Sequence, residues 1–244
     1  KLQKSLNLSN NEVMNRPETT LFMLSSLDGK ISTGDTDILD VDQDYKNILG
    51  LKEGLQQYYD LEMQTDLFSL ITGRTLAKIG FNETTDKPKR LPVSFIIIDN
   101  EPHLKASGVE YLAEKSSKLF IITTNQSHPA FALKEKHPNV EIISYKQNID
   151  FKNLFAKLHS DYRVDKLTIQ SGGTLNATLV REGLVDRILL VVAPALIGGK
   201  DTSTLMDGES LHSKEDLSKI KTLELVQAKP LNNSYLLLEY RVKN

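Results

Sequence analysis

The 244-residue sequence contains no cysteine. This excludes disulfides, thiolate metal sites and a Cys nucleophile, and it fits a cytoplasmic protein. No apolar run approaches the length needed to span a bilayer, so no membrane partner is expected, and Lys1–Asn15 is polar, unlike a signal peptide. A formal charge of −2 gives no general attraction to nucleic acid or an anionic surface. The five histidines, His103, His128, His137, His159 and His212, are scattered without metal-ligand spacing and read as surface or loop residues, so no metal is expected. There is no Gly-x-Ser-x-Gly elbow and no Gly-rich loop ending in Lys-Ser/Thr, which leaves hydrolase and nucleotide-triphosphatase chemistry without support. Linkers rich in Pro, Gly or Ser are also missing, as are repeats. With 39% hydrophobic and 25% charged residues the chain reads as one globular domain over 16–244, after a short N-terminal extension over 1–15.

Short apolar runs alternate with helical spacing along the sequence. Strands are expected at Thr19–Leu24, Leu67–Ile71, Val93–Asp99, Lys118–Thr123, Val140–Ser144, Lys166–Gln170 and Arg187–Ala193. Between them, helical spacing runs from Val41 to about Thr65, with Asp40 and Gln43 as a possible cap and Gly50 and Gly54 breaking it in two. Shorter helices are expected near Thr75–Ile79, Gly108–Ser116, Pro129–Lys136, Phe151–His159 and Thr174–Glu182. Leu223–Ala228 and Tyr235–Val242, separated by Pro230-Leu231-Asn232-Asn233, read as an antiparallel hairpin. The pattern predicts an α/β fold with a mostly parallel central sheet, helices on both faces and an antiparallel C-terminal edge.

Polar clusters follow several of these strands. Leu167–Thr174 reads as a strand, a Gly172-Gly173 turn and a helix start that Thr174 or Asn176 could cap. Backbone N–H groups at such a start favour a phosphate, although the same turn also occurs for steric reasons. Ser25-Ser26-Leu27-Asp28-Gly29-Lys30 follows the first strand; its plain alternative is a turn with a solvated lysine. Gly73-Arg74-Thr75 offers a guanidinium fork and a hydroxyl to a phosphate, or else a surface turn with an ion pair. Thr123 and Thr124 could meet a ribose phosphate, or form a hydroxyl-rich turn. All lie at C-terminal strand ends, where ligands sit in open α/β sheets, and together they describe a nucleotide across one edge of the sheet.

Here the sequence resembles a known family. Ser26-Leu27-Asp28-Gly29-Lys30 is similar to the Ser-Leu-Asp-Gly-Lys motif of the riboflavin-biosynthesis reductase domain, the C-terminal domain of the bifunctional deaminase–reductase and a relative of dihydrofolate reductase. Gly172-Gly173-Thr174-Leu175-Asn176, Gly183-Leu184-Val185-Asp186 and Ala193-Pro194-Ala195-Leu196-Ile197-Gly198-Gly199 resemble that family's later signature in order and spacing. The likeness runs from about Arg16 to Val242.

The resemblance implies a dihydrofolate reductase-like fold, a homodimer, and an NADPH-dependent reductase acting on a small molecule, a phosphoribosylaminouracil whose ribosyl group becomes a ribityl chain. It implies that Ser171, Gly172, Gly173, Thr174 and Leu175 carry the cofactor pyrophosphate. Gly73, Arg74 and Thr75, with Thr123 and Thr124, would serve the adenosine 2′-phosphate, and Ser25 the nicotinamide. Lys30 would be the acid or electrostatic partner of the reacting group, oriented by Asp28, with Ser26 and Gln170 on the substrate side. Two departures bear on the substrate. Gln170 stands where the family usually has Glu, and Lys78-Ile79-Gly80-Phe81-Asn82 replaces a stretch whose Arg grips the substrate phosphate. The partner deaminase's zinc ligands include cysteines and cannot be present here, which leaves a stand-alone reductase and an orphan paralogue with another substrate almost evenly matched. Alternatives are a relative with another carbonyl or pteridine substrate, or a dinucleotide-binding module without turnover.

Overall fold

The computed structural model describes residues 15–243, so the expected N-terminal extension lies outside the described residues save for Asn15. Strand β1 (Glu18–Ser26) is followed by the single-turn helix α1 (Val41–Asp44), a 3-10 turn (Tyr45–Asn47) and helix α2 (Lys52–Glu62). Then come β2 (Phe68–Thr72), α3 (Gly73–Lys78), β3 (Ser94–Ile98), α4 (Ala106–Lys115), β4 (Leu119–Thr123) and α5 (Ala130–Leu133). The chain continues through β5 (Val140–Ser144), α6 (Phe151–Tyr162), β6 (Lys166–Ile169), α7 (Gly173–Arg181), β7 (Arg187–Ala193), β8 (Thr222–Pro230) and β9 (Leu236–Lys243). The described residues form one nine-stranded sheet in the order β5-β4-β3-β2-β6-β1-β7-β9-β8. Pairing is parallel from β5 to β7 and antiparallel from β7 through β9 to β8. The architecture is therefore the expected one. Among the described residues no helix is long and apolar enough to cross a membrane.

Parallel strands covered on both faces need apolar residues on both, and β4 is buried along its whole length. In β1 the side chains alternate between faces. Leu21 joins the layer with Leu154, Phe155 and Leu158 of α6 and Leu179 of α7. Phe22 and Leu24 join the opposite layer with Leu55 and Tyr58 of α2. The outer strands pack on α3, α4 and α5 through Leu76, Val109, Leu112 and Leu133.

The Val41–Thr65 stretch departs from expectation at one glycine. Gly54 does not break a helix; it lies buried inside α2, where a β-carbon would fall 2.5 Å from the Tyr235 ring. The break comes instead from Ile48 to Leu51, and Asp40 caps α1 by accepting from the Asp42 N–H.

What positions a site is the strand order. The chain runs β1, then β2 and outward to β5, and returns to insert β6 between β1 and β2. Connections thus diverge beside β6, and a crevice opens outside the C-terminal ends of β1, β6 and β2, where ligands bind in sheets of this kind.

Candidate functional site

A cleft of about 350 Å³ occupies this position. Met23, Leu24, Ile31, Tyr58, Ile71 and Phe95 form its apolar surfaces, and Ser171 and Gly172 lie at one wall. Its charged residues are unbalanced: Asp35, Asp37, Asp40, Asp42 and Glu62 face it, against Arg74 and Lys78.

The glycine turn divides into two roles. Helix α7 starts at Gly173, and its N-cap is Gly172, with no side-chain cap. Thr174 and Asn176 therefore lie within the helix and do not cap it. Asn176 is buried, accepting from Ser171 Oγ at 2.7 Å and donating to the Leu205 carbonyl at 2.8 Å. A β-carbon on Gly172 would meet nothing within 4 Å, so the backbone there is open to a ligand. Gly173 is packed under a loop: a β-carbon would lie 2.3 Å from the Thr204 carbonyl oxygen. Leu175 turns inward, against the layer beneath α6 and α7.

The Ser25–Lys30 segment is built differently from what its motif implies. The Lys30 ammonium is not in the cleft; it is largely buried and donates to the carbonyls of Gly199 at 2.6 Å and Thr202 at 2.8 Å. Asp28 does not orient it. Its carboxylate accepts from Ser26 Oγ and from the N–H groups of Gly198 (2.6 Å) and Ile197 (3.1 Å). The Ser26 hydroxyl and those N–H groups hold Asp28 down at about 2. Ser26 is spent on this turn, since its hydroxyl also accepts from the Lys30 N–H at 2.9 Å. Together Asp28 and Lys30 clip the loop 195–204 to the end of β1. Ser25 differs: its hydroxyl is fully buried and has no hydrogen-bond partner among the described residues.

On the other side, Gly73, Arg74 and Thr75 form the first turn of α3, capped by the Thr72 side chain accepting from the Thr75 N–H at 3.2 Å. A β-carbon at Gly73 would strike the Asp99 carboxylate at 2.3 Å. Arg74 reaches across the cleft rim to Asp37 at 2.8 Å, both side chains more than half exposed. Thr123 cannot read a ribose phosphate: it is fully buried, donates to the Asp99 carbonyl at 2.7 Å and accepts from the Asn125 N–H at 3.1 Å. Thr124 sits beside it at the tip of β4, two strands outward from β2, its N–H engaged by Asn100 Oδ1 at 3.0 Å. His128, expected at the surface, is buried and pairs through Nε2 with Asp99 Oδ2 at 3.0 Å. No group of residues suited to a metal ion occurs among the described residues.

Gln170, which the resemblance puts on the substrate side, does line the cleft, and with it stand Asp42, Tyr58 and Glu62, which no sequence motif marks as site residues. Gln170 donates from Nε2 to Glu62 Oε1 at 2.5 Å and accepts from Ser69 Oγ at 3.1 Å. Asp42 accepts from the Tyr59 hydroxyl at 3.2 Å. Burial pushes the Asp42 carboxyl up to about 6, reinforced by the charges of Asp40 and Glu62. Burial also raises Glu62, against the opposing hydrogen bond from Gln170. The Tyr58 hydroxyl is raised by burial first and then by those carboxylates. Lys78 pairs with Asp40 Oδ2 at 3.1 Å and donates to Ser32 Oγ at 3.3 Å.

The RibD C-terminal domain model matches residues 17–237. The chain belongs to that family. Among curated proteins, the 2,5-diamino-6-ribosylamino-4(3H)-pyrimidinone 5′-phosphate reductase of Methanothermobacter thermautotrophicus is 26% identical over 236 residues, covering 93% of this chain and 99% of that protein. Of the solved structures, Acinetobacter baumannii RibD superposes with a TM-score of 0.66 at 15% identity, covering 95% of this chain but 59% of that one. Saccharomyces cerevisiae riboflavin biosynthesis reductase Rib7 gives 0.59 at 15% identity, covering 100% and 93%. These two likenesses establish the shared fold, and the family match agrees with the resemblance carried by the two sequence motifs.

Proposed function

We propose that this RibD-family chain is an NADPH-dependent reductase that converts the ribosyl group of a phosphoribosylaminouracil-type substrate to a ribityl chain. The compound named for its archaeal relative, 2,5-diamino-6-ribosylamino-4(3H)-pyrimidinone 5′-phosphate, is the first substrate to test. The observation that carries the reading is the open backbone at Gly172, at the start of the nine-residue helix α7 and facing the cleft between β1, β6 and β2. Free N–H groups at a helix start suit a pyrophosphate, and the Ser25 hydroxyl, buried near the C-terminal end of β1, is a second group in want of a partner.

When bound, the cofactor supplies the hydride. The chain's own residues bind and orient. Gly172, Gly173 and Thr174 present their N–H groups to the pyrophosphate, and Arg74 exchanges Asp37 for the 2′-phosphate. Met23, Leu24 and Ile31 shield the reacting carbon from water, which keeps donor and acceptor close and aligned. Lys78, by exchanging Asp40 for the substrate phosphate, supplies a cation in the stretch where the family's arginine is missing. We assign the protein to the cytoplasm and infer a homodimer formed through β8, an edge strand exposed along its whole length that carries Leu223, Leu225 and Val226.

The test is a thermal shift with NADPH, followed by loss of nicotinamide absorbance on adding the pyrimidinone phosphate. Stabilisation and oxidation together support the reductase. Stabilisation with no oxidation across a panel of pyrimidine and carbonyl substrates would instead leave a dinucleotide-binding module.

A further inference from the structure

We propose that Glu62 is the proton donor to the acceptor atom during reduction, held in place by Gln170. The proposal rests on the reductase reading and names a residue for it that no sequence motif marks. Glu62 is the last residue of α2 and lines the same cleft as Met23, Ser171 and Gly172. Helix α2 is fixed to the sheet by Tyr58, whose ring stacks on Phe22 of β1 with centroids 5.0 Å apart and planes 2° from parallel. Tyr58 and Glu62 are four positions apart, so both share the face of α2 that meets the sheet.

The carboxyl is oriented by one oxygen only. Oε1 accepts from Gln170 Nε2 at 2.5 Å, and Gln170 is itself fixed by Ser69 Oγ at 3.1 Å. Oε2 accepts no hydrogen bond among the described residues. The charged and titratable groups near Glu62 are Tyr58 and Tyr59 of its own helix and Asp42 of α1, on which Asp40 and Lys46 act in turn. Burial raises the Glu62 carboxyl toward the protonated form against the hydrogen bond from Gln170, and its place at a helix C-terminus works in the same direction.

The other candidates are set aside by their contacts or by their acidity. Lys30 is tied to Gly199 and Thr202, Lys78 is paired with Asp40, and Arg74 cannot release a proton at neutral pH. Tyr58 and Tyr59 are raised and so made weaker acids. Asp42 lines the cleft too, but its hydrogen bond ties it to Tyr59 of α2, whereas Glu62 is tied to Gln170, two residues from Gly172.

The step balances as follows. Hydride from the reduced nicotinamide adds to the acceptor carbon and breaks the π bond of its C=N or C=O. The electron pair moves to the heteroatom, which takes the proton from Glu62. The dinucleotide leaves oxidised, and the Glu62 carboxylate regains a proton from water in the open cleft.

The experiment compares wild type with Glu62→Gln, Gln170→Glu and the double variant that exchanges amide and acid across the same hydrogen bond. General acid catalysis of this kind contributes about 100-fold or more, so Glu62→Gln should lose at least about that factor in kcat while NADPH affinity stays within about threefold. The exchange variant should recover most of the loss, and the wild-type kcat should fall at high pH as the acid ionises. Infrared pH titration of the cofactor-free protein should show a carboxylic acid C=O signal that persists above the usual carboxyl range and is missing from Glu62→Gln. Turnover in Glu62→Gln near that of wild type overturns the proposal. So does an exchange variant no faster than Glu62→Gln, or an infrared titration unchanged by Glu62→Gln. A wild-type protein that leaves NADPH unoxidised overturns the reductase reading itself, and this proposal with it.

Discussion

Gly172 and Gly173 are neighbours with opposite surroundings: a β-carbon on the first would meet nothing within 4 Å, and one on the second would lie 2.3 Å from the Thr204 carbonyl oxygen. Gly172→Ala should therefore leave the melting temperature nearly unchanged, since its φ of −73° and ψ of 160° suit alanine. It should weaken NADPH binding, because the methyl enters the space assigned to the pyrophosphate. Gly173→Ala should do the reverse first, destabilising the fold by about 1–3 kcal/mol through overpacking against the 204–207 loop. Thermal melts and NADPH titration of the two variants separate the effects; equal NADPH affinity in Gly172→Ala and wild type would remove the pyrophosphate from this turn.

Lys30→Met should behave as a structural lesion. The ammonium satisfies the Gly199 and Thr202 carbonyls, and hydrogen bonds from a charged donor contribute about 1.5–3 kcal/mol each. The residues it holds lead directly to Thr204, which packs on Gly173. Loss of the clip should lower stability by a few kcal/mol and weaken NADPH along with turnover, measured by urea denaturation and by separate kcat and Kd values. A variant with full stability and intact NADPH affinity but collapsed kcat would return the lysine to the chemical role that its motif implied.

The contrast between Lys30 and the strand pattern shows what was legible. Alternation of apolar runs with helical spacing is a local property, and it located the nine strands of the sheet, the C-terminal hairpin among them. The direction in which Lys30 points is set by carbonyls 169 and 172 residues away, which no local pattern encodes. Glu62 was invisible for the same reason. Its partner Gln170 is 108 residues distant, and the one local hint was a carboxylate a helical turn beyond Tyr58 on the face of α2 that meets the sheet. Gly54 misled because a glycine that admits the Tyr235 ring looks in sequence like a helix breaker.

Arg74 and Asp37 should affect cofactor choice in opposite directions. The pair is solvent-exposed and weak, so a 2′-phosphate can displace the aspartate at little cost. Arg74→Ala should cost NADPH about tenfold in affinity and leave NADH unaffected, the expected size of one charge-assisted contact. Asp37→Asn should tighten NADPH modestly by freeing the guanidinium. Isothermal titration with both dinucleotides decides this; a wild-type protein that binds them equally would show that Arg74 reads no phosphate.

Asp42 makes stability depend on pH. Its carboxyl is raised from 3.8 to about 6 by burial and by the charges of Asp40 and Glu62. Raising a carboxyl in the folded state means that the fold favours the protonated form. The stabilisation is fully present below pH 3.8 and is lost as pH rises through 6, leaving an ionised, poorly solvated group above that. At about 1.4 kcal/mol per unit, the loss between pH 4 and pH 8 is on the order of 2–3 kcal/mol. Asp42→Asn removes the titration and keeps an acceptor for the Tyr59 hydroxyl. Urea denaturation should then find the variant more stable than wild type by about that amount at pH 8 and nearly equal to it at pH 4. A variant less stable than wild type at pH 8 would mean that the ionised carboxylate is stabilised in place, and that the acidic wall of the cleft carries its negative charge without cost.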